Sequence, residues 1–143
     1  MMTYTPAIKK AMKLCFAAHK DQMDKSGMPY VFHPLAVAAQ LHTEDTIVTA
    51  LLHDVVEDTD YTLADLAEMG FSENVLQALA LLTHDDGVDY MDYVAAAKQH
   101  PVARAVKLAD LRHNSELSRL DEITDVALRR REKYQKAIAL LES

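Results

Sequence analysis

Apolar residues recur at intervals of three and four along most of the chain, which is the spacing that places them on one face of an α-helix. The first such segment follows Pro6, a residue type that fits the first turn of a helix, and Thr5 is expected to cap it. Its inward face is predicted to consist of Ile8, Ala11, Met12, Cys15, Ala18 and His19. The first predicted element is therefore a helix that packs one side against the core.

Turn and capping residues divide the rest of the sequence into further helices. Polar residues mark a loop at 24–29, Thr62 begins a helix with a capping-box pattern, and Gly70 and Gly87 each end a helical segment. The predicted helices cover residues 34–41, 45–58, 62–70, 72–87, 89–99, 102–120 and 121–141. No segment favours a strand, so we expect an all-α globule of about seven or eight helices that forms one domain over residues 1–143.

The predicted helix at 45–58 carries the most informative pattern. Its centre, residues 47–52, is apolar on nearly every side, as in a helix buried at the centre of a protein. Four ionisable residues follow within the segment LLHDVVEDT, namely His53, Asp54, Glu57 and Asp58. Residues four apart lie on adjacent turns of one helix, and buried carboxylates need partners. A divalent metal is such a partner; the alternative is a solvated helix end that carries the charges.

Two other positions offer matching metal ligands. His33 precedes Pro34 at a predicted helix start, and Asp110 lies within an otherwise apolar helix face. Each residue taken alone is more often a hydrogen-bonded structural residue than a ligand. Together with His53 and Asp54 they form a set of two histidines and two aspartates. Such mixed nitrogen and oxygen ligands favour Mn²⁺, Fe²⁺ or Mg²⁺ over a structural Zn²⁺, which prefers closed, cysteine-rich sites.

The composition excludes several classes of protein. The 143 residues carry 22 acidic and 15 basic side chains, a formal charge of −7, which disfavours a general nucleic-acid binder. The sequence has neither a signal-peptide pattern nor an apolar run of about 18 residues, so no membrane partner is expected. Its single cysteine, Cys15, is compatible with the reducing cytosol, and a cytoplasmic location is predicted. The basic run from Arg129 to Arg131 is predicted to be a solvated helix face.

The ligand set is similar to the His…His-Asp…Asp signature of the HD-domain phosphohydrolases. The neighbouring residues resemble more narrowly the hydrolase domain of the RelA/SpoT-type alarmone enzymes, above all the small alarmone hydrolases. The residues that carry this resemblance are Ala18-His19, Gln22, Lys25-Ser26-Gly27, Pro29-Tyr30, His33-Pro34, residues 53–59 (HDVVEDT), residues 106–110 (VKLAD) and Asn114. The resemblance spans roughly residues 5–120. It implies an all-α HD domain that uses Mn²⁺ to remove pyrophosphate from the 3′ position of ppGpp or pppGpp.

The resemblance also implies roles for individual residues. The metal ligands would be His33, His53, Asp54 and Asp110, and the carboxylates that orient or deprotonate the attacking water would be Glu57 and Asp58. The phosphorylated nucleotide would be bound by Lys25, Lys107 and Asn114. Two alternatives stay open for Lys107, because its ammonium could face a phosphate or an acidic neighbour.

One position departs from the family pattern. The alarmone hydrolases generally carry an arginine that packs on the guanine base, where this sequence has Asp24. A carboxylate neither stacks as a guanidinium does nor attracts phosphate. Two alternative functions therefore stay open: an HD hydrolase of another nucleotide or phosphoester, with Lys20 or Lys25 in compensation, and a non-catalytic module that binds metal or nucleotide.

Three other histidines give weaker signals. His84 begins a second His-Asp pair, but Gly87 follows closely and the segment is predicted to be a helix end and loop. His19 is predicted to be structural or to face a phosphate. The role of His113, which neighbours Asn114, is undecided.

Overall fold

A computed structural model describes residues 4–117 and 120–143, and within these ranges the chain forms nine α-helices. Their bounds are α1 Pro6–His19, α2 Phe32–Ala39, α3 Glu44–Leu52, α4 Val55–Asp58, α5 Leu63–Glu68, α6 Glu73–Leu82, α7 Tyr90–Lys98, α8 Pro101–Asn114 and α9 Asp125–Glu142. The described ranges contain no strand, only an isolated antiparallel bridge between Met23 and Pro29. The predicted all-α fold is confirmed.

Helices α1 and α5 start at the predicted capping residues. The Thr5 hydroxyl accepts a hydrogen bond of 3.2 Å from the Ile8 amide at the start of α1. Thr62 and Asp65 exchange the two hydrogen bonds of a capping box at the start of α5. Gly70, which ends that helical segment, has a φ of +88°, a conformation that residues with a Cβ rarely adopt.

Helix α3 lies at the centre of the fold, as its apolar pattern predicts. Residues 46–52 are all buried, and the helix packs against α1, α2, α6 and α8. A second, smaller cluster of buried residues joins α7, α8 and α9 through Tyr93, Leu111 and Leu141. Helix α8 contacts both clusters, so it forms the link between the α3 core and the C-terminal helix.

The predicted helix at 45–58 is two helices, and the prediction of one was wrong. The His53 imidazole Nδ1 bonds to the Ala50 carbonyl, which an uninterrupted helix would offer to the amide of Asp54. The His53 amide makes only a long contact of 3.5 Å to that carbonyl, and the chain resumes as α4 after Asp54. The break between the two helices lies at His53 and Asp54, the adjacent residues with the strongest predicted metal-ligand pattern.

Three other helices are shorter than predicted. Helix α6 ends at Leu82 rather than near Gly87. At this end the Thr83 hydroxyl donates a hydrogen bond to the Leu79 carbonyl, which competes with the backbone bonds of the helix. Helix α8 ends at Asn114 instead of continuing to 120, and part of the predicted extension, residues 118–119, lies outside the described residues. Helix α9 begins at Asp125 rather than Asp121, because Thr124 provides a capping hydroxyl that the sequence analysis missed.

Buried positions elsewhere follow the helical pattern. Cys15 is buried in α1 as predicted, and burial raises the pKa of its thiol to about 12. Among the described helices, none has the length and apolar character that crossing a membrane requires.

Candidate metal centre

Three segments of the chain converge on one buried cluster. His33 lies in the first turn of α2, His53 and Asp54 lie at the break between α3 and α4, and Asp110 lies in α8. The His33 Nε2 is 2.8 Å from Asp110 Oδ1, and the His53 Nε2 is 3.3 Å from the same oxygen and 3.1 Å from Asp54 Oδ2. Ligand atoms of His33, His53 and Asp54 all lie within 4.8 Å of one another. The four predicted metal ligands are thus brought together.

The hydrogen bonding of His53 prepares it for a metal ion. Its Nδ1 contacts the Ala50 carbonyl, and because a carbonyl only accepts, Nδ1 carries the proton. The Nε2 is fully buried and points into the cluster, where the carboxylate oxygens of Asp54 and Asp110 lie 3.1 and 3.3 Å away. A backbone acceptor behind one ring nitrogen is typical of a metal-binding histidine, whose other nitrogen can offer its lone pair to the ion in exchange for a proton.

The electrostatics of the cluster also favour a cation. Burial alone would lower the pKa of His53, but the carboxylates of Asp54 and Asp110 outweigh it and hold this pKa well above its usual range. The cluster therefore attracts positive charge strongly enough to retain a proton in a buried place. A divalent ion would satisfy the same carboxylates, so the residues present fit such a group.

Asp110 is the most heavily bonded residue of the cluster. The Lys107 ammonium lies 3.1 Å from its Oδ2, and the Asn114 side-chain amide donates to its Oδ1 over 3.2 Å. Although burial opposes ionisation, Lys107 and the two histidines keep the pKa of Asp110 well below its usual range. Of the two alternatives for Lys107, the structure shows the acidic neighbour.

Tyr30 supports the cluster from the loop before α2. Its hydroxyl donates a hydrogen bond to Asp54 Oδ2. The centroid of its ring lies 5.7 Å from that of the His33 ring and 5.1 Å from that of the His19 ring. Sequence reasoning noted Tyr30 only as part of the resemblance and assigned it no role. Its position three residues before His33 is the signal that could have identified it, since both residues enter the site from one short segment.

The two predicted catalytic carboxylates occupy different places. Glu57 lines a small pocket together with His53, Asp54 and Lys107, whereas Asp58 lies outside that lining. Partial burial and the nearby Asp54 carboxylate raise the pKa of both residues. The Glu57 carboxyl is thus placed beside the cluster with an increased affinity for a proton.

A cleft of about 290 Å³ opens on the other side of the cluster. Its lining includes Lys25, Tyr30, His33, Asn114, Arg130 and Tyr134. Lys25 and Arg130 both line this cleft, and partial burial together with the Arg130 guanidinium lowers the pKa of Lys25. Lys25 and Asn114 therefore lie in this cleft, while Lys107 belongs to the small pocket.

Arg130 and Tyr134 line the cleft, and the sequence analysis assigned neither of them to a site. Arg129 and Arg131 are exposed as predicted, but Arg130 is half-buried and lines the cleft, so the prediction of a solvated face was wrong at this position. Arg130 and Tyr134 are four residues apart and therefore project from the same side of α9. That spacing could have identified the pair only if the packing of α9 against α8 had been known.

Asp24 has a structural part in the loop that precedes α2. Its Oδ1 accepts hydrogen bonds from the amides of Ser26 and Met28, over 2.8 and 3.0 Å. The carboxylate thereby holds the turn that carries Lys25 to the cleft. An arginine here could not accept these bonds, so the departure from the family pattern coincides with a different way of closing the loop.

The second His-Asp pair stays apart from the cluster. The His84 Nε2 donates to the Val88 carbonyl over 2.7 Å, and its ring stacks on that of Tyr93 at 4.5 Å between centroids. These contacts anchor the loop between α6 and α7.

Comparisons with known proteins found relatives in sequence and in structure. The sequence matches the HD domain family over residues 11–114. It is 31% identical over 141 residues to the guanosine-3′,5′-bis(diphosphate) 3′-pyrophosphohydrolase of Aquifex aeolicus, covering 90% of this chain and 19% of that protein. It is 36% identical over 120 residues to the probable GTP pyrophosphokinase of Mycobacterium leprae, covering 75% of this chain and 15% of that protein. The chain thus spans a small part of the length of these relatives.

The same fold is found in a solved structure of a metazoan ortholog of SpoT. That protein is described as one that hydrolyzes ppGpp and plays a role in starvation responses. It superimposes with a TM-score of 0.80 at 23% sequence identity, covering 100% of this chain and 89% of the other.

Proposed function

Since the chain belongs to the HD domain family, we propose that it is a metal-dependent phosphohydrolase that releases pyrophosphate from the 3′ position of ppGpp or pppGpp. The observation that carries this proposal is the buried convergence of His33, His53, Asp54 and Asp110 beside a cleft that two cations face. Relatives named for this reaction, such as that of Aquifex aeolicus, support the choice of substrate.

The proposed metal ion is Mn²⁺, held by the two histidines and two aspartates. Two imidazole nitrogens and two carboxylates suit Mn²⁺, and the remaining coordination positions would stay open to substrate and water. When bound, a divalent ion supplies a Lewis acid that polarises a phosphoryl oxygen and makes water more acidic.

Three residues near the proposed ligands have complementary roles in this proposal. Glu57 accepts the proton of the attacking water and can return it to the leaving oxygen, since burial and Asp54 have raised its pKa. Asp58 is proposed to orient the same water. Lys107 binds Asp110 and keeps that ligand ionised, which makes its part in substrate binding indirect.

The cleft is proposed to bind the nucleotide. The Lys25 ammonium and the Arg130 guanidinium supply charge for phosphates, the Asn114 amide supplies a hydrogen-bond donor, and the Tyr134 ring offers a surface on which a base can stack. Negative charge grows on the phosphate oxygens during hydrolysis, so these fixed cations also favour the transition state.

Metal binding is expected to stabilise the folded protein. Because the unfolded chain lacks the cluster, Mn²⁺ at about 100 times its Kd should add about 2.7 kcal/mol to the free energy of unfolding. For a chain of this length this corresponds to a rise in Tm of about 5 to 10 °C. Differential scanning calorimetry in EDTA and in MnCl₂ measures the shift. An unchanged Tm at concentrations that support turnover would contradict the proposed site.

Replacing Arg130 with alanine is expected to weaken substrate binding. The loss of a charge-assisted hydrogen bond to phosphate costs about 1.5 to 3 kcal/mol, so KM for ppGpp should rise about 10- to 100-fold. Arg129→Ala is the matched control, because this neighbouring arginine is exposed and outside the cleft lining. Steady-state kinetics measure both variants, and equal KM values would remove Arg130 from the proposed binding site.

A second candidate function rests on Asp24. Its carboxylate lies at the cleft beside Lys25, where it disfavours some phosphate positions, and this favours an HD hydrolase of another nucleotide or phosphoester. Turnover of ppGpp, pppGpp, ATP, GTP and dNTPs by the Mn²⁺-loaded protein separates the two candidates. Pyrophosphate release from ppGpp supports the first, and turnover of other nucleotides alone supports the second. A tight nucleotide complex without product would instead indicate a non-catalytic module.

Two broader expectations complete this proposal. We propose that residues 1–143 form one hydrolase domain and that the protein acts in the cytoplasm. Both stay predictions from the sequence.

A further inference from the structure

His113 makes a short contact with a proposed metal ligand. Its Nδ1 lies 2.7 Å from the Nδ1 of His33, and the two rings are 4.9 Å apart between centroids at an angle of 31°. His113 lies one turn after Asp110 in α8, whereas His33 is 80 positions earlier in the chain. One helix therefore presents both a proposed ligand, Asp110, and a partner for another.

The chemistry of this contact limits where the protons can be. Two imidazole nitrogens at hydrogen-bond distance need one proton between them, so one Nδ1 donates and the other accepts. If His33 donates, its Nε2 keeps a lone pair that is available to a metal ion. If His113 donates, the proton of a neutral His33 is on Nε2 and the lone pair is lost.

The second arrangement has a ready stabilising partner. The His33 Nε2 is only 2.8 Å from Asp110 Oδ1, so a proton on Nε2 would bind His33 to Asp110. Two of the four proposed ligands would then satisfy each other and neither would be open to a metal ion. If the His113 Nδ1 accepts the proton, the His33 Nε2 stays open to a metal ion. If the His33 Nδ1 accepts it, the His33 Nε2 is closed by its bond to Asp110.

We propose that His113 is the positioning residue that accepts the Nδ1 proton of His33 and so holds the His33 Nε2 open for the metal ion. This inference rests on the proposed metal site, and it adds a residue to which no role was assigned from the sequence. It does not depend on which nucleotide is hydrolysed. Outer partners of metal-binding histidines typically change metal affinity by about 10- to 100-fold.

The test measures Mn²⁺ affinity without substrate. The side-chain oxygen of asparagine can occupy the place of an imidazole Nδ1, whereas glutamine reaches towards the place of Nε2. His113→Asn should therefore retain Mn²⁺ affinity close to that of the wild type, while His113→Gln and His113→Leu should lose about 10- to 100-fold. Isothermal titration calorimetry gives the affinities, and melting curves in EDTA show that each variant is folded.

Nitrogen-15 NMR of the wild type provides a second measurement that needs no variant. In protein loaded with a diamagnetic divalent ion, the His33 Nδ1 should have the shift of a protonated nitrogen and the His113 Nδ1 that of an unprotonated one. The opposite assignment would overturn the inference.

The outcomes separate this inference from the proposed function. Wild-type Mn²⁺ affinity in all three variants would overturn the role of His113, and so would the same loss of affinity in all three. Either outcome would leave the proposed metal site standing. A wild type that binds no divalent ion would overturn both. Normal affinity in the wild type without ppGpp hydrolysis would overturn the substrate alone.

Discussion

Replacing His53 with alanine is expected to abolish metal binding and hydrolysis together. The Nε2 of His53 is buried, points towards the carboxylates of Asp54 and Asp110, and belongs to a ring held by the Ala50 carbonyl. Since removal of an outer partner already costs about 10- to 100-fold in metal affinity, loss of the ligand itself should cost more than about 100-fold. Turnover should fall by on the order of 10³-fold or more, because the ion contributes several kcal/mol to transition-state stabilisation.

The measurements for His53→Ala are Mn²⁺ titration calorimetry and pyrophosphate release. His42→Ala is the matched control, since His42 is exposed between α2 and α3 and lies outside the cluster. Circular dichroism in EDTA shows whether each variant retains its helices. Full turnover by a folded His53→Ala variant would refute the proposed metal site.

Replacing Glu57 with glutamine is expected to separate chemistry from metal binding. Glutamine preserves the volume of the side chain but cannot accept the proton of water as a carboxylate does. The value of kcat should fall by about 10²- to 10⁴-fold, the usual contribution of a general base, whereas Mn²⁺ affinity should stay close to that of the wild type. This contrast with His53→Ala follows because Glu57 lines the small pocket but lies outside the group of ligand atoms.

The matched control for Glu57→Gln is Glu68→Gln. Glu68 is an exposed residue at the end of α5, and the same chemical change there should leave kcat unaltered. Single-turnover kinetics with the enzyme in excess over ppGpp distinguish a slower chemical step from slower product release. A normal single-turnover rate in Glu57→Gln would assign the proton transfer to another group, of which Asp58 is the nearest candidate in the sequence.

Local features of the fold could be read from the sequence because they depend on neighbours in the chain. The inward face of α1 follows from residues three and four apart, and Thr5 caps the helix through an amide only three residues away. The capping box that begins α5 is equally local. The break after α3 also depends on a local contact, since His53 Nδ1 bonds to a carbonyl three residues earlier, but the helical pattern continues through His53 and does not indicate this contact.

The candidate site also combines features that could be read from the sequence with features that could not. The chemical types of His33, His53, Asp54 and Asp110 were readable from motifs, because each has a side chain that metals prefer and a characteristic sequence around it. The geometry between them was not, since it depends on how α2, α3 and α8 pack.

The sequence by itself determined the helical class, the capping residues Thr5 and Thr62 and the residue types of the candidate metal ligands. Tertiary structure alone decided that Arg130 faces the cleft, that Lys107 binds Asp110 and that His113 meets His33 across 80 positions. The physical reason is the range of the interactions. Hydrogen bonds within a turn and the helical repeat act between near neighbours, whereas the direction of an exposed or charged side chain depends on which distant helix packs beside it.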